Sequence, residues 1–192
     1  MSLQTLVNRA VDTPVDYAFI KRVVGNTVSI RMVDHESGLP DRPTLEQVFK
    51  GKTCVAILLH IVGAKSPVGH WVLLIQKRPG APISFFDSLG IGLTKLYKFY
   101  THETPKLLHA LRGHKWENSS VVLQRQGAHF RECGAFISVR AKFWKLSNKS
   151  FVKLIKSWNK TKPDDTAVLL VLLHYLEDEG LDVTSKKYKR LK

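Results

Sequence analysis

Residues 69–90 read GHWVLLIQKRPGAPISFFDSLG. An apolar run, GHWVLLIQK at 69–77, leads into RPGAP at 78–82 and then into a second run, ISFFDS at 83–88. The central five residues carry two prolines and a glycine, so they read as a turn. Two β-type runs joined by so short a connection pair as an antiparallel hairpin. The spacing centres its turn near Arg78–Gly80, which brings His70 and Asp87 to the same open end. A carboxylate placed there accepts a hydrogen bond from an imidazole and fixes its tautomer.

Upstream, TCVAILLHIV at 53–62 is a β-branched apolar run and reads as a central strand, with His60 facing the core. PVDYAFIKRVV at 14–24 reads as a helix with Pro14 near its start. SGLPDRP at 37–43 is a loop, and PTLEQVFKG at 43–51 is a helix capped by Thr44 and stopped by Gly51. Downstream, residues 94–113 read as a helix broken near Thr104–Pro105, and SSVVLQRQ at 119–126 as a fourth strand. ECGAFISVRAKFWKL at 132–146 is a helix with Phe136, Val139, Phe143 and Leu146 at helical spacing. Two more helices are expected over 148–160 and 162–180, the latter stopped by Gly180. SKKYKRLK at 185–192 reads as a loose basic tail. The expectation is one α+β domain over residues 1–184, with a small, mostly antiparallel sheet flanked by helices.

The chain has 192 residues, 44% of them hydrophobic, which supports a core and argues against wholesale disorder. No apolar run is long enough for a membrane-spanning helix, and the first residues do not read as a secretory signal. Two cysteines cannot build a disulfide framework. Thirty Lys and Arg against 16 Asp and Glu give a net charge of +14. Such an excess draws in polyanions, nucleic acid first, then an acidic membrane surface or an acidic protein.

The two cysteines sit in different settings. Cys54 falls in the predicted core strand, whereas Cys133, in RECGAF at 131–136, falls where a loop gives way to a helix. A sulfur there meets the positive end of the helix dipole, which favours the thiolate. Gly134 lets the backbone pass close to a substrate. The Cys133 N–H can serve an oxyanion, and a side-chain amide commonly supplies the second donor. Gln126 ends the predicted fourth strand seven residues before the cysteine, with Gln124 a rival on the same side of that strand. His129, in the loop before Cys133, is a second candidate base beside His70.

The ordered set GHW, FFDSLG, QG and CGAF resembles the adenain-like viral cysteine proteases, a family whose clan includes the proteases of SUMO and other ubiquitin-like modifiers. The likeness runs from about Thr53 to Phe143. It implies an adenain-like protease fold, with His70 as general base and acid, Asp87 as its orienter, Cys133 as nucleophile and Gln126 as oxyanion donor. Trp71 and Gly134 would shape the substrate cleft. The spacing from Gln126 to Cys133 is that of adenain, while aspartate at 87, rather than glutamate, is the SUMO-protease choice. Such proteases occur in adenoviruses, virophages, Maverick-type elements and large DNA viruses. The resemblance implies cleavage of capsid and other virion precursors after small residues such as glycine, in the virion and the infected cell. It implies a monomer that needs no cofactor for its chemistry, no metal and no membrane, with DNA or a peptide as possible activators.

The family's use of DNA directs attention to Lys145, Lys149, Lys153, Lys156 and Lys160, which share a helix face opposite Phe151, Leu154, Ile155 and Trp158. A disulfide-linked peptide activator is not supported, because no third cysteine is present. Two alternatives stand beside the maturation protease: a protease of ubiquitin-like modifiers, and a nucleic-acid-binding protein that keeps the fold without catalysis.

Overall fold

The computed structural model describes residues 15–34, 38–60, 69–100, 105–124 and 132–157. Among these residues five strands form one sheet in the order β1 (Ile30–Asp34), β2 (Cys54–His60), β3 (Gly69–Gln76), β4 (Ile83–Phe86) and β5 (Trp116–Asn118). The helices are α1 (Tyr17–Val24), α2 (Leu45–Phe49), α3 (Leu93–Tyr100), α4 (Lys106–Leu111), α5 (Glu132–Lys142) and α6 (Asn148–Ser157).

The hairpin forms where the turn residues place it. Leu73 faces Phe86 and Gln76 faces Ile83, so the turn centres between Pro79 and Gly80. Gly80 takes the left-handed conformation there, with φ +75°. The strand ends at Phe86, so Asp87 and Ser88 lie in the following turn rather than in β4.

The sheet is mixed, which corrects the expectation of a mostly antiparallel one. β2–β3 and β3–β4 are antiparallel, while β1–β2 and β4–β5 are parallel. The cause is at the two edges. β1 and β5, neither of them anticipated, are joined to their partners by crossovers through α2 and through α3 and α4, and a crossover delivers a parallel strand. The fourth strand expected over 119–126 does not form over 119–124. Those backbone groups bond the end of β4 and its turn instead: Ser119 N–H donates to the Phe85 carbonyl, and the Leu123 and Gln124 N–H groups donate to that of Ser88.

Local chemistry explains the helices. Asp16 caps α1, its carboxylate accepting the Phe19 N–H at 2.8 Å. Thr44 and Gln47 form a reciprocal capping box at the start of α2. The stop at α2 needs two positive-φ residues, Lys50 at 45° and Gly51 at 71°. The long helix expected over 94–113 is the pair α3 and α4, and Pro105 precedes the second. Residues 143–146 form a turn rather than continuing α5.

Both faces of the sheet are covered, so β2 and β3 are apolar on both sides. Cys54, Ala56, Leu73, Ile75 and Phe86 pack with α1, α5 and α6. Val55, Ile57, Val72, Leu74 and Phe85 pack with α2, α3 and α4. α5 is buried over nearly its whole length, including Arg140. The Arg140 guanidinium donates to the carbonyls of Phe143 (2.8 Å) and Leu146 (3.0 Å) and to Asn148 Oδ1 (3.3 Å), and Asn148 Nδ2 donates to the Phe85 carbonyl at 3.0 Å. This network ties the end of α5 to α6 and β4. The expected helix 162–180, the tail 185–192 and Pro14 lie outside the described residues.

Candidate active site

His70 is the second residue of β3, and Asp87 follows the last residue of β4. Continuing the hairpin register sets residue 87 across from Val72. His70, two positions away on the same face, is then its diagonal neighbour, a separation long side chains bridge. His70 Nε2 lies 2.7 Å from Asp87 Oδ1, and both side chains are 0% exposed.

The turn after β4 aims the carboxylate. Oδ1 also accepts the Leu89 N–H at 2.9 Å, and Oδ2 accepts those of Ile91 at 2.8 Å and Gly92 at 3.4 Å. Burial works against the charge on Asp87, but the hydrogen bond and charge of His70 and the turn N–H groups outweigh it and hold the pKa below its ordinary value. Across the pair, burial disfavours the imidazolium, but the hydrogen bond to Asp87, its charge and the nearby Cys133 sulfur raise the His70 pKa to about 9. Asp87 occupies Nε2, so Nδ1 is the ring nitrogen left to face the thiol.

Cys133 sits in the first turn of the 11-residue α5 and is 1% exposed. Its sulfur accepts the Trp71 backbone N–H at 3.4 Å. His70, Asp87 and Cys133, 63 residues apart along the chain at the extremes, thus meet at one end of the sheet. Cys54 is the contrast: it is fully buried in β2, and burial, only partly offset by Arg140, pushes its thiol up to about 12.

Trp71 is buried, its ring edge-on to Tyr17 with centroids 5.2 Å apart. Gly134 lies beneath Val15. A Cβ at residue 134 would come within 2.3 Å of Val15 Cγ1 and 3.2 Å of Trp71 Cδ1. The close approach that glycine permits is therefore made here by the chain's own residues ahead of α1. Gln126 and His129 lie outside the described residues. Gln124 is buried and its side-chain oxygen accepts from Ser88.

Lys149, Lys153 and Lys156 are exposed along α6, opposite the buried Phe151, Val152 and Ile155. Lys145 is exposed in the preceding turn, its ammonium 5.6 Å from the centre of the Trp144 ring. Lys160 lies outside the described residues. Among the described residues no cluster of His, Cys, Asp and Glu has the makings of a metal site, and no helix is long and apolar enough to cross a membrane.

No protein-family model matches the chain, and no curated protein matches it. Among solved structures, one that it resembles is the crystal structure of the ASFV pS273R protease, with a TM-score of 0.34 and 15% identity. The match covers 62% of this chain and 42% of that one. A likeness of that size assigns neither fold nor activity. What the chain itself presents is an α+β fold in which a buried imidazole–carboxylate pair meets a cysteine in the first turn of a helix.

Proposed function

We propose that the chain is a cysteine endopeptidase of the adenain-like type that matures virion proteins. The observation that carries this reading is the buried His70–Asp87 pair at 2.7 Å, with the Cys133 sulfur close enough to the same imidazole to act on its pKa. A structural histidine needs no carboxylate on one nitrogen and a thiol on the other. A nucleophile with its base and orienter needs both.

In the proposed reaction His70 takes the Cys133 proton, and the thiolate attacks the scissile carbonyl carbon. The carbonyl oxygen becomes an oxyanion, held by the Cys133 N–H and, in this reading, by the Gln126 side-chain amide. Collapse breaks the C–N bond as His70 returns its proton to the departing amine. Water, deprotonated by His70, then attacks the thioester, and the second collapse releases the acid and regenerates the thiol. Asp87 stabilises the imidazolium at each stage and keeps Nδ1 toward sulfur.

The proposed substrates are capsid and other virion precursors, cleaved after small residues such as glycine, in the virion and the infected cell. The exposed Lys145, Lys149, Lys153 and Lys156, with the +14 charge, support a polyanion such as DNA as a non-specific partner. The test is incubation with the co-encoded capsid proteins, with and without DNA. Specific cleavage that Cys133→Ala and His70→Ala both abolish is the expected result. Cleavage that survives Cys133→Ala overturns the proposal.

A further inference from the structure

Asp87 is only as well aimed as the turn that carries it, and that turn is fastened from outside. Ser88, the next residue, is 0% exposed, and its hydroxyl donates to Gln124 Oε1 at 2.7 Å. Gln124 is itself only 2% exposed. The Ser88 carbonyl accepts the Leu123 and Gln124 N–H groups, both at 2.9 Å. Two residues on, Gly90 at φ +64° lies flat against the same segment. A Cβ there would stand 2.7 Å from the Val121 carbonyl carbon and 2.8 Å from Val122 N. Residues 119–124 thus lie along the outside of the turn 87–92.

The backbone bonds fix the register of that contact. The side-chain bond joins two neutral buried groups that are not themselves members of the His70–Asp87–Cys133 set. Its effect on the site runs through the residue beside it, whose carboxylate must hold three turn N–H groups and an imidazole at once. A small rotation of the turn about residues 87–88 would lengthen all four. We propose that Ser88 and Gln124 are positioning residues, forming a buried latch that holds the turn 87–92 so that Asp87 meets His70. The inference rests on the reading of His70, Asp87 and Cys133 as a catalytic set.

A latch that positions and a bond that merely stabilises respond differently to removing one partner or both. Ser88→Ala leaves Gln124 Oε1 buried without its donor, which costs stability whatever the role. Ser88→Ala with Gln124→Leu removes both polar groups, and stability largely returns. The positioning bond does not return.

The readout is Cys133 alkylation by iodoacetate across pH, mapped by mass spectrometry, beside thermal unfolding. The reagent's carboxylate is drawn to the imidazolium, so its rate falls on the alkaline side as His70 deprotonates. The groups acting on that titration are Asp87 and Cys133. In the wild type the alkaline limb is expected near pH 9. In the double variant the melting temperature is expected to recover toward wild type, while alkylation at neutral pH stays about tenfold slower and the limb moves at least one pH unit lower. Ser88→Thr, which keeps the hydroxyl, is expected to restore the limb. A double variant that regains both the wild-type rate and the wild-type limb overturns the latch, as does Ser88→Ala with an unchanged profile. Failure of the catalytic reading looks different: wild-type Cys133 would then be alkylated no faster than an ordinary thiol.

Discussion

Replacing Asp87 by asparagine keeps the size of the side chain, removes its charge and takes away one of two accepting oxygens. The carboxylate accepts on both: Oδ1 from His70 and Leu89, Oδ2 from Ile91 and Gly92. An amide has one acceptor oxygen. Turned one way, its NH2 faces the N–H groups of Ile91 and Gly92. Turned the other way, it faces those of His70 and Leu89. Either orientation sets donor against donor in a buried site, and the second also drives the imidazole into the tautomer that cannot accept the Cys133 proton. The His70 pKa, raised to about 9 from an ordinary value near 6.5, corresponds to about 3 kcal/mol of preference for the imidazolium. Asp87 and Cys133 share that preference, so removing the carboxylate forfeits part of it. Loss of the correct tautomer adds to that, and a total of about 10³-fold in kcat is expected, with KM nearly unchanged. Substrate turnover and Cys133 alkylation by iodoacetamide, run side by side from pH 6 to 9, measure it. An Asp87→Asn protein within threefold of wild type across that range refutes the reasoning.

Other outcomes rest on the same structure. The raised His70 pKa contributes stability that is fully present below about pH 6.5 and is lost as pH rises through about 9; the lowered Asp87 pKa contributes stability present above the ordinary carboxylate range and lost as pH falls through its folded value. Urea unfolding across pH should therefore show the gap between wild type and His70→Ala closing above about pH 9. Gly134→Ala drives a methyl against Val15 and Trp71 and should cost about 1–3 kcal/mol, with Val15→Ala recovering much of it in the double variant, read by thermal unfolding. Arg140→Ala removes donors from two carbonyls and from Asn148 and opens a cavity, so a loss on the order of 3 kcal/mol is expected in chemical denaturation.

The parts of this fold that were legible in the sequence are those written in local chemistry. RPGAP announces a turn, and the apolar runs around it announce the hairpin. Thr44 with Gln47 announces a helix start. From that hairpin alone His70 and Asp87 could be brought to one end of the sheet, although the turn centres slightly later than the spacing indicated and Asp87 reaches His70 diagonally. The two edge strands were not legible. IRMVD carries charge at both of its polar positions, and WEN is three residues long, so neither shows the apolar alternation of a strand. SSVVLQRQ has the opposite problem: it has strand composition, but over residues 119–124 its backbone groups bond the end of β4 and the turn after it and form no ladder. Arg140 was hidden because a charge on a helix reads as a solvated position, and it is the carbonyls leaving α5, with Asn148, that make its burial tolerable. Ser88 carried no signal of its own, since its partner Gln124 lies 36 residues away.

The central claim is that His70 and Asp87 activate Cys133 and not Cys54. The most direct measurement is trapping of the native protein with a peptide ending in a glycine vinyl sulfone, followed by peptide mapping of the adduct. The account predicts a single adduct on Cys133, none on Cys54, and loss of the reaction in His70→Ala while that variant remains folded. Equal modification of the two cysteines, or a His70→Ala protein that reacts as fast as wild type, would contradict it.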